Sequence, residues 1–367
     1  MRTLLVSDLH LGRADGHDLL RRADVQERLI EALRDADRLV ILGDGLELRE
    51  SPHREAAEVA RPFFAAAGAA LGADGELLLL AGNHDHGLVA GWIDARLQTE
   101  PAGFLGLEQR YAPREAGPLA ERLAEAAQPA RLTLAYPGIW LRDDVYAIHG
   151  HYADLHSTVP TFERLAAGAM ARFAVRLPQD GARPDDYEAA LAPLYAWMHA
   201  LAQRSDHGLV SAGAGASART WSMLTAADRH RRPLRTLALG VGYAATVAAI
   251  NAVGIGPVER DLSPAALRRG YLAGFREAVR RLGIGARHVL WGHSHRSGPW
   301  PGDDETEWTT AGGARILNAG SWVYQPHFLT GGRRSPYWPG TAILVDDDGP
   351  PRLVRLLGED VVRPRRA

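Results

Sequence analysis

The sequence predicts an α/β protein in which parallel strands alternate with flanking helices, interrupted by a large helical insertion. Three observations carry that expectation. Short apolar runs alternate with amphipathic segments through the first quarter of the chain. Those runs end in Asp, Asn or His beside Gly. From about residue 153 to 285 helical periodicity replaces the strand-type runs, and the strands then resume.

The elements follow in order. Leu4-Leu5-Val6 is of strand type and leads into Ser7-Asp8-Leu9-His10-Leu11-Gly12. Asp18 to Arg34 places Leu19, Leu20, Val25, Leu29, Ile30 and Leu33 on one side, as an amphipathic helix does. Arg38–Leu42 is a continuous apolar run of buried parallel-strand type, ending at Gly43-Asp44-Gly45. An Ala-rich helix fits Arg54–Leu71. Glu76–Ala81 is the third strand and ends in Gly82-Asn83-His84-Asp85. This β-α-β-α-β order implies a parallel sheet covered by helices. Residues 86–130 read as loops with one short helix near Leu119–Ala127. Arg131–Tyr136 and Ile139–Leu141 read as two short strands, and Val145–Ile148 as another that ends in His149-Gly150-His151.

In the insertion, Thr158–Thr161 starts a helix carrying Phe162, Leu165, Ala169, Met170 and Phe173. A second helix fits Asp185–Arg204, and Ser211–Ala218 reads as a flexible joint. A third runs from Ser263 to Leu282, with a capping Ser and Pro at its first position. The core resumes with Arg287–Trp291, ending in Gly292-His293-Ser294-His295. Ala314–Trp322 and a hairpin of Thr341–Val345 with Leu353–Leu357 follow. Residues 1–152 and 286–367 are thus expected to form the core, and 153–285 a helical insertion.

Composition narrows the chemistry. The 367 residues are 46% apolar and 23% charged, ordinary for a globular protein. There is no Cys, so thiolate ligands, disulfides and a Cys nucleophile are excluded and only N/O metal ligation remains. The formal charge of −2 gives no overall basic field for nucleic acid or anionic lipid. Met1-Arg2 runs straight into the first strand with no signal-peptide pattern, which predicts a cytoplasmic location.

At the C-terminal end of a strand the in-out alternation relaxes, and side chains turn into a crevice beyond the sheet edge. Five runs end with metal-ligating residue types there. Together they supply Asp8, His10, Asp44, Asn83, His149, His293 and His295. That set suffices for two divalent ions with one carboxylate between them, the arrangement suited to in-line displacement at phosphorus. Each motif alone is an ordinary turn; five in order are not.

In order and spelling these motifs resemble the calcineurin-like metallophosphoesterase superfamily, over about residues 1–151 and 286–358. The resemblance implies layered sheets flanked by helices and hydrolysis of a phosphoester or pyrophosphate by a metal-bound hydroxide. It implies that Asp8, His10, Asp44 and His295 hold one ion and Asp44, Asn83, His149 and His293 the other. His84 would donate a hydrogen bond or proton to the phosphate or leaving oxygen, oriented by Asp85. Glu47 stands where the second motif more often has Asp, at a position that supports the ligands. Arg13 and His151, beside motifs, are candidate substrate contacts. The ions are Mn, Fe, Zn or Co, which such ligands accept about equally.

The substrate class is read from the insertion. Between Arg235 and Glu259 no residue is charged, a length sufficient to cross a bilayer. A single crossing would put His149 and His293 on opposite sides of a membrane although both serve one ion. The stretch is therefore a buried helix of the insertion or an apolar element at the inner face of the membrane, with Arg231, Arg232 and Arg235 near headgroups. A lipid-linked or partly apolar substrate follows. Ser7–Leu11 and His149-Gly150 also resemble the UDP-2,3-diacylglucosamine hydrolase branch, which cleaves a lipid-linked pyrophosphate, although His84 stands where those enzymes carry Arg. Two alternatives stand beside this: a soluble nucleotide phosphodiesterase or nuclease, using Arg268, Arg269, Arg276, Arg280 and Arg281 as a local patch, and a non-catalytic metal-binding interaction module. The absence of a basic-aromatic stripe argues against nucleic acid, and the complete ligand set against the module.

Overall fold

The computed structural model describes residues 1–99, 104–203, 243, 245–261, 263–329 and 332–362. The Ser211–Ala218 joint, Arg231, Arg232, Arg235 and the start of the uncharged stretch lie outside them. The chain divides into two compact units: Met1–His151 with Tyr195–Ser205 and Ile284–Ala367, and Tyr152–Leu194 with Asp206–Gly283.

The first unit is built on one hydrogen-bonded sheet. Its strands are β1 (Thr3–Val6), β2 (Arg38–Leu42), β3 (Glu76–Leu80), β4 (Glu108–Tyr111), β5 (Arg131–Arg142), β6 (Val145–Ile148), β7 (His288–Trp291), β8 (Arg315–Asn318), β9 (Thr341–Val345) and β10 (Arg352–Arg355). They are ordered β10-β9-β1-β2-β3-β5-β6-β7-β8, with β4 paired to β5 off this path. The pairs β1–β2, β2–β3, β6–β7 and β7–β8 are parallel.

The continuous apolar runs are explained by burial on both faces. Leu4, Val6, Leu39, Ile41, Leu77 and Leu79 join the cluster containing Val25, Leu29, Phe63 and Phe64 of the helices Ala23–Leu33 (α1) and His53–Leu71 (α2). The alternate residues Leu5, Val40, Leu42, Leu78 and Leu80 pack with Val145, Ala147, Leu290, Leu317 and Ile343. The two halves of the sheet therefore lie face to face as layers, each buried Leu or Val contributing roughly 1.5–3 kcal/mol.

Three expectations are corrected. The two short strands predicted at 131–141 are one twelve-residue strand, β5. Its first part pairs with β3 through Ala135, and from Gly138 it pairs with β6, so it carries the sheet from one layer into the other. The predicted loop at 86–130 contains the helix Gly87–Leu97 (α3), as well as β4. Apolar residues lie all around α3, with no single stripe to read, and β4 is a short polar edge strand. The first helix starts later than predicted, because Arg22 is extended (φ −92°, ψ 129°) and Leu19–Arg21 forms a separate 3-10 turn. Asp18 there accepts from Gly12 N at 3.0 Å and from Arg21, tying that turn to the first motif.

In the second unit, Phe162–Phe173 starts at Thr161, whose side chain accepts from Arg164 N, and Pro264–Arg281 starts at Ser263, which accepts from Ala266 N. Pro184–Ala202 spans the division, with its residues from Tyr195 belonging to the first unit. Residues 245–252 are helical. On them Ala245, Thr246, Ala248, Ala249, Asn251 and Ala252 are exposed and only Val247 is fully buried; Val253 just beyond is also exposed. Among the described residues no helix is long and apolar enough to cross a membrane.

Candidate metal centre

The ends of β1, β2, β3, β6 and β7 come together. The segments after β1 and β2 are laced by their backbones: Asp8 N donates to Gly43 O (3.2 Å), His10 N to Asp44 O (2.8 Å) and Leu11 N to Gly45 O (3.0 Å). Asp8, His10, Asp44, His293 and His295 have φ of 55°, 47°, 51°, 63° and 57°. Among the described residues they are the non-glycine residues in the left-handed region. That conformation costs an L-residue about 1–2 kcal/mol and persists where surrounding structure imposes it, commonly at functional sites. The preceding glycines make room. A Cβ on Gly43 would stand 2.4 Å from the His149 ring, and one on Gly292 would stand 2.0 Å from Ser7 Oγ and 2.5 Å from Asp8 Oδ2.

The side chains converge in three overlapping groups, with donor atoms within 4.8 Å of one another: Asp8, His10 and His295; His10, Asp44 and His84; Asp44, His149 and His293. Asp44 Oδ2 is 3.7 Å from His10 Nε2 and 3.3 Å from His149 Nε2, so it lies between the groups. Asp8 Oδ1 is 3.3 Å from His295 Nε2. Asn83 Oδ1 is 3.2 Å from both His149 Nε2 and His293 Nδ1. All seven predicted ligand residues are thus brought to one place.

Outer partners fix which ring nitrogen faces inward. A carbonyl or carboxylate only accepts, so the nitrogen beside it carries the proton. His149 Nδ1 donates to Leu42 O (2.8 Å), His10 Nδ1 to Glu47 Oε2 (2.9 Å) and His295 Nδ1 to Gln325 Oε1 (3.2 Å). In each neutral ring this leaves the Nε2 lone pair turned to the site, the usual arrangement of a metal-ligating histidine. Asn318 Nδ2 donates to Gly292 O (2.7 Å) and Ser294 Oγ (3.0 Å), bracing the last motif. Gln325 has no local signature that sequence reading could have found.

Electrostatics follow the same logic. Burial pushes His10 down to about 4, helped by the charge of His84. Burial also works against a charged His149, but Asp44, with Asp8, outweighs it and raises it to about 10. Burial likewise opposes the charges of Asp44 and Glu47; the neighbouring histidines prevail, His149 foremost for Asp44 and His84 for Glu47, and hold both well below the ordinary carboxylate range.

One expectation about His84 is corrected. Its ring is held by Glu47, which accepts from Nδ1 at 2.8 Å, while the same carboxylate holds His10. Burial disfavours the charged His84 ring; Glu47 and Asp44 overcome this and raise its pKa. Asp85 does not orient His84. It accepts from the backbone N–H of Gly82 (2.6 Å), Gly45 (2.8 Å), Leu46 (3.1 Å) and Asp44 (3.2 Å), fastening the second motif to the third. Burial, and then the charge of Asp44, push Asp85 up to about 7.

The donor set fits divalent cations. Asp8 Oδ1 is buried yet accepts no aligned hydrogen bond. Asn83 Oδ1 faces Asp44 Oδ2 and the ring nitrogens His149 Nε2 and His293 Nδ1. Either a cation lies among them, or the amide turns over so that its nitrogen donates to Asp44 Oδ2 (3.3 Å) and to the two rings. Hard-to-borderline N/O donors converging on one place are what Mn, Fe, Zn or Co sites require.

The sequence pattern of the calcineurin-like phosphoesterases matches residues 1–297. The chain belongs to the calcineurin-like phosphoesterase family. It is therefore a hydrolase acting on phosphoesters with the help of divalent metal. No curated protein matches it. Among solved structures, the crystal structure of the cold-active protein-tyrosine phosphatase of a psychrophile, Shewanella sp., is similar at 13% identity. That match covers 94% of this chain and 75% of that one, with a TM-score of 0.29.

The candidate substrate contacts of this phosphoesterase are placed less favourably. Arg13 forks onto Asp15, with Nε and Nη2 at 2.9 and 2.7 Å. His151 is buried behind His149, with ring centroids 5.5 Å apart and Tyr136 Oη 3.3 Å from its Nε2. Burial, with the charges of His149 and His293, holds it neutral. In the second unit, Arg280 and Arg281 both pair with Glu277, and Arg280 also with Asp180. That removes charge from the patch a nuclease would use.

Proposed function

We propose that the protein hydrolyses a phosphoester or pyrophosphate bond at a two-metal centre, with Asp8, His10, Asp44 and His295 holding one ion and Asp44, Asn83, His149 and His293 the other. The observation that carries this reading is the place of Asp44, whose carboxylate falls in donor groups on two sides at once. When bound, two divalent ions supply a nucleophile from water at neutral pH and neutralise charge on the phosphoryl oxygens. The chain does the rest. Glu47 aligns His10 and His84 together, and His84, at 21% side-chain exposure, holds a proton for the phosphoryl or leaving oxygen. Asp85 keeps the two motif backbones in register. Chelation with EDTA is expected to abolish release of p-nitrophenol from bis(p-nitrophenyl) phosphate, and Mn²⁺ to restore it. Turnover untouched by chelation and by added metal would overturn the reading.

A lipid-linked or partly apolar substrate, with the protein peripheral at the inner face of the membrane, is favoured by one observation. The described part of the uncharged stretch exposes Ala248, Ala249, Ala252 and Val253, and Phe173 in the same unit is 66% exposed, with the Arg172 guanidinium over its ring. Apolar groups beside arginine are the chemistry of an interfacial element. Cosedimentation with anionic liposomes is expected for the intact protein and should be lost in the double variant Ala249→Asp, Val253→Asp, both at exposed positions. An intact protein that stays in the supernatant would point to a soluble substrate.

A further inference from the structure

His53 opens α2, and His199 lies in the last turn of the helix Pro184–Ala202, in the part that belongs to the first unit. Their Nε2 atoms meet, with ring centroids 4.6 Å apart and planes inclined by 45°. The pair is assembled by more than its own contact. Gln203 N donates to His199 O at 3.1 Å, which carries the helical turn on to that residue and puts the two side chains on one side. Gln203 Oε1 then accepts from His53 N at 3.1 Å. No side chain of its N-cap residue serves the start of α2, so this contact supplies a partner that its first turn needs. Gly87 keeps a Cβ out of the space beside both rings: one there would stand 3.2 Å from His199 Nε2 and 3.6 Å from His53 Nε2. Both histidines are half-buried. Burial, then the charges of His199 and Arg122, push His53 down to about 4; burial, then His86, push His199 down as well. Both rings are therefore neutral at pH 7. Between two neutral rings one Nε2 carries the proton and the other accepts it. Once that proton sits on Nδ1 of its own ring, both Nε2 lone pairs face one point, with no change of charge and no proton lost. Imidazole nitrogens suit Zn, Ni and Cu ions, whereas Mn²⁺ favours oxygen.

We propose that His53 and His199 form a metal site separate from the phosphoesterase centre. It takes a borderline divalent cation of the zinc class through the two Nε2 atoms, with water completing the coordination. The ion clasps the end of the helix Pro184–Ala202 to the start of α2. Neither histidine belongs to a motif of the proposed centre, and the clasp does not depend on how many ions that centre holds.

Equilibrium dialysis against Zn²⁺ tests it, with bound ions counted per chain in the wild-type protein, His53→Gln, His199→Gln and the double variant. Each single variant is expected to hold one Zn²⁺ fewer than the wild type. The double variant should also hold one fewer and not two, because the residues share one ion. Zn²⁺ should raise the Tm of the wild type more than that of the variants, since an ion bound by the folded chain alone stabilises it. Circular dichroism shows which variants fold. Should they fail to, the wild-type chain decides: it is expected to hold one more Zn²⁺ than Mn²⁺. Equal Zn²⁺ counts in the wild type and the folded variants, or equal Zn²⁺ and Mn²⁺ counts in the wild type, would overturn the proposal.

Discussion

Asp44→Asn is expected to lower turnover roughly a thousandfold, the scale on which preorganised electrostatic groups act on a barrier. The substitution is nearly isosteric. Asn tolerates the left-handed conformation that position 44 adopts, and its oxygen can still accept from His84 N, as Asp44 Oδ1 does at 2.8 Å. What is lost is the negative charge between the two donor groups, where the carboxylate stands 3.7 Å from His10 Nε2 and 3.3 Å from His149 Nε2. Folding should therefore survive while metal affinity and rate collapse. The check is kcat at saturating Mn²⁺ beside a circular-dichroism melt; a folded variant with unchanged kcat would remove Asp44 from the chemistry.

Glu47→Gln is expected to cost about 10–100-fold in Mn²⁺ affinity or turnover, as loss of an outer partner of a metal ligand does. The Glu47 carboxylate accepts from the imidazoles of both His10 and His84 and from the backbone of Arg49. Glutamine has one oxygen for these donors, and its amide nitrogen would face a ring N–H. One histidine then loses its orientation. Glu47→Asp keeps the charge on a shorter stem and should fall between. Measured Mn²⁺ affinity and kcat equal to wild type in Glu47→Gln would show that the carboxylate does not hold the site.

The residues of the proposed metal centre are legible because each sits at or just after the end of an apolar run, often behind a glycine. Gly43-Asp44, Gly82-Asn83 and Gly292-His293 show the pattern in three letters of chemistry: a chain reversal, then a donor. Strands β1 to β3 were legible because burial on both faces makes them continuous apolar runs. The helix Gly87–Leu97 was not, since its apolar residues mark no single face, and the unity of β5 was hidden by Tyr136-Pro137-Gly138, which reads as a break. The resemblance pairs His84 with Asp85, whereas the fold uses that carboxylate to hold four backbone N–H groups and brings Glu47 from another loop to His84. Gln325 carries no motif at all; only the folded chain brings it to the site.

Equilibrium dialysis against Mn²⁺, with protein-bound metal counted per chain, tests the shared pocket most directly. Two ions per chain in the wild-type protein, reduced when His293 or His295 is replaced by Ala, is the predicted result. A chain that takes up no Mn²⁺, or keeps its full complement after both histidines are gone, would contradict it.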